Sequence, residues 1–243
     1  MQTFIEALKW LTDGSHWSGF DGIPIRVFEH LEVSVVGVLL AAAVAVPIGL
    51  YIGHTRRLEF LAVSVANIGR SVPSFGVLVI AYVVILELFP SLAFGFTPTV
   101  VALVLLAVPP ILTNTYVGIQ GVDPDTVEAA RGMGMSGRQV VFSLELPLGI
   151  PLMLAGLRTA AVTVVATATL SALVGGGTLG RYIVDGLAQS DEAKVVAGAI
   201  LVAILSILTE LGLATLERAV SPRTSSGRRR RVQIQEDLPR APA

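Results

Sequence analysis

Arg70, Arg158 and Glu210 are charged residues set inside long apolar runs, together with the amides Asn67 and Asn114. A charge at the centre of a bilayer costs at least about 2.5–3.5 kcal/mol unless it is paired or hydrated. Ion pairing is therefore the chemistry these residues invite. Counted from the arginine-rich ends of their runs, Arg70, Arg158 and Glu210 lie at comparable depth, so Glu210 is expected to pair with one of the two arginines. Such a pair is either a static brace or a gate closing a polar route. Thr159, Thr163, Thr167 and Ser171 recur every fourth residue and line one face of a helix. Small hydroxyl residues suit close packing of membrane helices, and they equally suit a polar path.

Other chemistries find little support. The three histidines, His16, His30 and His54, are scattered, which favours interfacial polar roles over a metal site. There is no cysteine, so disulfides and thiolate chemistry are excluded. "GGGTLG" at 175–180 has the spacing of a dinucleotide fingerprint. That fingerprint works between a strand and a helix, whereas here it follows a membrane-length run, so the glycines are read as a sharp turn. No phosphate-binding Gly-x-x-x-x-Gly-Lys-Ser/Thr loop is present, and the chain is not expected to hydrolyse ATP itself. An ion-driven secondary transporter would call for internal repeats and midplane acids; no convincing repeat is found, and Glu210 is the best lone acid. A membrane enzyme would call for clustered histidines or carboxylates.

The elements that must position these residues are membrane helices. The chain is 53% hydrophobic and 14% charged, with a mean hydropathy of +0.75; an ordinary soluble domain is about one quarter charged. About 20 apolar residues cross a bilayer, and five runs qualify: 33–53, 60–89, 98–119, 147–174 and 194–216. The second would make about 45 Å of straight helix and contains Pro73, so it is either one kinked helix or two elements. Arg56 and Arg57, Arg131 and Arg138, then Arg218, Arg223 and 228–231 share one side under this count. That side is expected to be cytoplasmic, with the N-terminus outside and the C-terminus inside. Residues 1–30 lack a signal-peptide pattern. Phe4, Ile5, Leu8 and Leu11 with Trp10 and Trp17 suggest a short interfacial helix or a packed cap. Residues 31–217 form the membrane domain, and the basic tail 218–243 reads as disordered, serving as an orientation anchor or touching anionic lipid. A formal net charge of −1 gives no reason to expect nucleic acid as a partner.

Between the third and fourth runs lies a polar segment, 123–143. Asp123 before Pro124 is a helix start, with Asp125 and Glu128 near the positive end of its dipole. Gly132 and Gly134 stop this helix, and Ser136 with Gln139 has capping-box spacing for a second. Ala129 and Ala130 form a small-residue surface flanked by Glu128 and Arg131. Such a surface seats in another protein's groove, or the segment is a plain connector lying on the membrane.

This segment resembles the EAA signature of ATP-binding cassette (ABC) importer permeases. Glu128, Ala129 and Ala130 are followed at the signature's spacing by Gly134, Leu144, Leu146 and Pro147, with Leu144 where isoleucine is common. "RSVPSFGVL" at 70–78, "VPPILTNTYVGIQGVDP" at 108–124, "AGLRTA" at 155–160 and "TATLSALVGGGTLGRYIVDGL" at 167–187 resemble the osmoprotectant branch of these permeases. The likeness covers roughly 31–216.

The resemblance implies an all-α membrane protein with the MetI-like type I importer permease fold, about five transmembrane helices, in the bacterial cytoplasmic membrane. It implies transport of glycine betaine, choline or carnitine by alternating access; the methionine branch, which also carries a glycine-rich loop after the fourth span, is the alternative. A cytoplasmic ATPase dimer would hold ATP and Mg, a second permease subunit, copy or paralogue, would complete the pathway, and an extracytoplasmic binding protein would deliver substrate. Glu128, Ala129, Ala130, Arg131, Gly132, Gly134, Leu144, Leu146 and Pro147 would couple to the ATPase. Arg70, Ser71, Pro73, Asn114, Arg158, Thr163, Thr167 and Glu210 are candidate path or gate residues. Gly175, Gly176, Gly177 and Gly180 would face the external protein. The few aromatics are dispersed and suggest no cage for a quaternary ammonium group, which leaves most of the specificity to the external partner.

Overall fold

A computed structural model describes residues 2–220, apart from the side chains of Val65 and Arg70. Among the described residues all regular structure is helical. The helices are α1 (Gln2–Thr12), α2 (Ile23–Thr55), α3 (Glu59–Ser71), α4 (Ser74–Leu88), α5 (Phe96–Gln120), α6 (Pro124–Gly132), α7 (Gly137–Val140), α8 (Leu146–Thr167), α9 (Gly180–Gln189) and α10 (Glu192–Val220). Residues 221–243, most of the expected tail, lie outside the described residues; α10 itself runs on to Val220.

α2 begins at Ile23, well before the apolar run at 33, so the expected boundary at residue 30 falls inside a helix. Pro24 sits in the first turn, where a missing N–H costs nothing. Arg26 and His30 of the added turns reach partners distant in sequence as well as near ones. Arg26 donates to Asp21, to Glu29 at 2.7 Å and to the Gly177 carbonyl at 2.8 Å, while His30 pairs Nε2 with the Val165 carbonyl at 2.8 Å.

The second apolar run is two elements. α3 and α4 meet at Val72 and Pro73 with a bend of 96°. Proline has no N–H to donate and pushes the residue before it out of helical geometry, and Val72 is extended. Among the described residues, four helices are long and apolar enough to cross a membrane, or five if the bent pair counts as one span.

The core is built from α2, α5 and α8. Along α2 a small residue recurs every fourth position: Gly37, Ala41, Ala45, Gly49 and Gly53, all buried. A Cβ on Gly49 would lie 2.6 Å from Thr115 Cβ, and one on Gly53 would lie 2.6 Å from Ile119 Cβ. The stripe lets the α2 backbone close onto α5, the contact that drives helix association where lipid offers no hydrophobic gain. On the other flank of α5, Gly118 and Gly149 bring the α5 and α8 backbones together: a Cβ on Gly118 would lie 3.0 Å from the Gly149 carbonyl oxygen.

α10 packs on α8 and α9, and α1 covers its outer end. Trp10 of α1 stacks on His16 at 3.9 Å and meets Tyr182 edge-on at 5.2 Å. Phe4, Ile5 and Leu8 stay exposed on the other side of α1. The helix thus has one face packed as a cap and one apolar face free for an interface.

Candidate functional site

The segment after α5 is shaped by capping. Asp123 Oδ1 accepts the Asp125 N–H at 2.9 Å, and Pro124 occupies the first turn of α6. Asp125 lies at the positive end of the α6 dipole and Arg131 at the negative end. Gly134 adopts φ +86°, a left-handed turn that glycine makes without strain. There the Gly134 N–H reaches the Arg131 carbonyl at 2.9 Å. Ser136 and Gln139 then cap α7 reciprocally, with the Ser136 N–H 2.8 Å from Gln139 Oε1 and the Gln139 N–H 3.4 Å from Ser136 Oγ.

This helix–turn–helix has an inner and an outer face. Ala130 and Val140 are buried and fix it to the body of the protein. Glu128, Ala129, Arg131, Gly132 and Gly134 are exposed, and Met133 is 78% exposed at the tip. Leu144 and Leu146 are half-buried and Pro147 is exposed where α8 begins. A cavity of about 790 Å³ separates α6 from the α2–α3 turn and is lined by Arg56, Arg57, Glu128 and Arg131, with His54 and Glu145 beside it. Arg56, Arg57 and Arg131, three of the arginines that the sequence assigns to one side of the membrane, therefore line one cavity.

Two site residues escape the sequence reading. Glu145 is 5% exposed and its Oε2 lies 2.7 Å from His54 Nδ1. It closes a wide π-type turn, Val141–Glu145, between α7 and α8. The signal available was an acid placed directly against the apolar run at 147. Glu217 joins the intramembrane pair: Arg158 Nη1 is 3.0 Å from Glu210 Oε1, and Arg158 Nε is 3.3 Å from Glu217 Oε2. The signal there was a second acid seven residues on, two turns along the same face. Arg70, the other arginine considered for Glu210, has its side chain outside the described residues.

The hydroxyl ladder divides by position. Thr159 and Thr163 are exposed and donate to carbonyls four residues back, at 2.9 and 2.8 Å. Thr167 is half-buried, and Ser171 is buried, accepting from Thr99 Oγ1 at 2.9 Å. Asn114 donates to the Pro110 carbonyl at 2.8 Å and packs against Gly156. Ser71 donates to the Asn67 carbonyl at 2.8 Å beside the bend at Pro73.

At the opposite end, the glycine-rich loop turns at Gly175, φ +85°. Gly176 and Gly180 press on Ser171 and on the Thr169 backbone too closely to admit a Cβ. Arg26 clamps the Gly177 carbonyl, and Tyr182 donates to the Asp21 carbonyl at 2.7 Å. Burial is the main cause that pushes the Tyr182 hydroxyl to a pKa of about 12, so it remains a donor.

Residues 45–222 match the family described as "Binding-protein-dependent transport system inner membrane component". The chain belongs to this family. Among its relatives, the glycine betaine/carnitine/choline transport system permease protein OpuCB of Bacillus subtilis is 37% identical over 82% of this chain and 88% of its own. The carnitine transport permease protein OpuCB of Listeria monocytogenes is 36% identical over the same shares. Of solved structures, an inward-facing form of the MetNI methionine ABC transporter superposes with a TM-score of 0.72 at 22% identity, covering 80% of this permease and 94% of that chain. The fold is thus that of a multi-pass importer permease. The α6–α7 segment lies within the matched region, as do Arg158, Glu210 and the glycine-rich loop.

Proposed function

We propose that this chain is the membrane permease subunit of an ATP-driven importer for a small osmoprotectant of the glycine betaine, carnitine or choline class. The observation that carries the reading is the exposed face of α6. Glu128, Ala129, Arg131 and Gly134 present a rigid, doubly capped surface at the arginine-marked end, and they stand at the signature's spacing from Leu146 and Pro147. A surface so expensive in caps and so poor in contacts suits a partner's groove.

The rest of the mechanism follows from that joint. A separate ATPase dimer binds ATP and Mg, closes, and pushes on α6 and α7 from the cytoplasm. Two permease subunits, identical or paralogous, enclose the path between them. Thr159 and Thr163, exposed hydroxyls on one face of α8, suit its wall. The Arg158–Glu210 pair acts on the cytoplasmic half of the path as a gate. An extracytoplasmic binding protein docks at the end that carries Gly175–Gly180 and supplies the specificity. Substrate class is supported by the named transport roles of the relatives across most of the chain.

The test is uptake of labelled glycine betaine, choline, carnitine and methionine by a cell lacking its own osmolyte import, given this chain with its genomic neighbours. Uptake of a quaternary ammonium compound that requires both the ATPase and the binding protein is expected. Methionine uptake alone would move the chain to the amino-acid branch, and uptake without an ATPase would refute the reading.

A further inference from the structure

We propose that His54 and Glu145 form the link that passes movement of the α6–α7 segment into α2, making both of them positioning residues for energy coupling. The proposal rests on the reading of that segment as the ATPase joint.

The two residues are 91 apart in sequence, yet Glu145 Oε2 lies 2.7 Å from His54 Nδ1. Glu145 is nearly fully buried. A buried carboxylate without a partner is strongly disfavoured, so the pair resists separation while the surrounding helices move. His54 faces the start of α7 as well: a Cβ on Gly137 would lie 3.6 Å from its Nε2. The imidazole thus sits between Gly137 at the start of α7 and Glu145 at the end of the π-type turn that follows it.

The backbone supports this aim. The π-type turn at Val141–Glu145 places one extra residue in the helical path. Relative to α7, side chains beyond it are rotated by about 100° from where an unbroken α-helix would aim them. Wide turns of this kind recur at functional positions, since they cost helix regularity. On the far side of His54, Gly53 is pressed against Ile119 so closely that α2 cannot yield there. A push on α7 is therefore delivered to the α2–α5 unit instead of being absorbed in a loose contact.

The experiment uses the full permease, assembled with its ATPase and binding protein in lipid vesicles, with uptake and ATP hydrolysis measured on the same vesicles. Glu145→Ala and His54→Ala are expected to keep hydrolysis while uptake per ATP falls about tenfold, the scale of one lost charge-assisted hydrogen bond. The double variant should be no worse than either single one, as for two halves of one contact. Glu145→Gln keeps an acceptor and His54→Asn keeps an N–H near the Nδ1 position, so each should recover most of the ratio. Should the alanine variants fail to assemble, Glu145→Asp, which keeps charge but loses reach, must show the same loss. Unchanged uptake per ATP in an assembled Ala or Asp variant would overturn the link. Failure of the wild-type permease to bind an ATPase would instead overturn the joint itself.

Discussion

Arg158 reaches across from α8 to Glu210 of α10, with Nη1 and Oε1 3.0 Å apart. The same guanidinium also meets Glu217 at 3.3 Å, so one cation serves two carboxylates. Removing the cation leaves two acids without a partner; removing one acid leaves a simple pair. Arg158→Ala is therefore expected to lower stability most, by about 2–3 kcal/mol, below the full cost of breaking a buried pair because all three side chains keep some exposure. Glu210→Gln and Glu217→Gln should cost about 1 kcal/mol or less. Melting in detergent gives the ranking; equal losses in all three variants would contradict it.

The two glycines of the turn between α6 and α7 have different reasons to be glycine. Gly132 ends α6 in right-handed geometry with open space around it, so Gly132→Ala should leave the segment neutral or more helical by up to about 1 kcal/mol. Gly134 has equally open space but a φ of +86°, where a Cβ costs about 1–2 kcal/mol. Gly134→Ala should thus weaken ATPase capture and uptake while Gly132→Ala does not. Co-purification of the ATPase with each variant decides the matter, and equal capture would remove the conformational argument.

Helix approach in the core gives a sharper contrast. Gly53→Val must push α2 off Ile119 and should lower the yield of folded permease severely, since overpacking a tight contact costs about 1–3 kcal/mol or more. Gly212→Val in α10 meets nothing within 4 Å and serves as the matched control. Detergent-stable protein after expression is the readout.

The contrast also shows what the sequence could reveal. Helix starts and stops around 123–140 were legible because caps and glycine turns are local chemistry: Asp123, Pro124, Gly134, Ser136 and Gln139 act within four residues of themselves. Apolar length marked the runs, and Pro73 marked where the second bends, because proline acts on its own backbone; it left one kinked helix and two separate elements both open. Long-range pairing was legible only where cost made it compulsory, as at Glu210 in an apolar run. His54 and Glu145 sit at the ends of runs, where a charge can face water, so nothing local demanded that they meet. The start of α2 at Ile23 was hidden for a related reason. Arg26, Glu29 and His30 look like a polar boundary until their partners at Asp21, Gly177 and Val165 are known. The small-residue stripe from Gly37 to Gly53 was fully present in the sequence, and its period of four is the pattern by which membrane helices close on one another.

Arg26 offers the last test, at the end of the molecule away from the proposed ATPase joint. It is 8% exposed and meets Asp21, Glu29 and the Gly177 carbonyl together, so it ties the glycine-rich loop to the outer turns of α2. A Cβ on Gly177 would collide with Arg26 Nη1 and with the Glu29 carboxylate, so Gly177→Ala must displace one of them. Lysine cannot replace the arginine, because a single ammonium lacks the planar fork that satisfies three acceptors at fixed angles. Arg26→Lys and Gly177→Ala are both expected to reduce uptake driven by the external binding protein at least about fivefold, the factor that goes with about 1 kcal/mol. ATPase capture at α6 should stay at the wild-type level, because the proposed joint lies at the other end of α2. A loss of ATPase capture in either variant would mean that the clamp holds up the whole fold and not the loop alone.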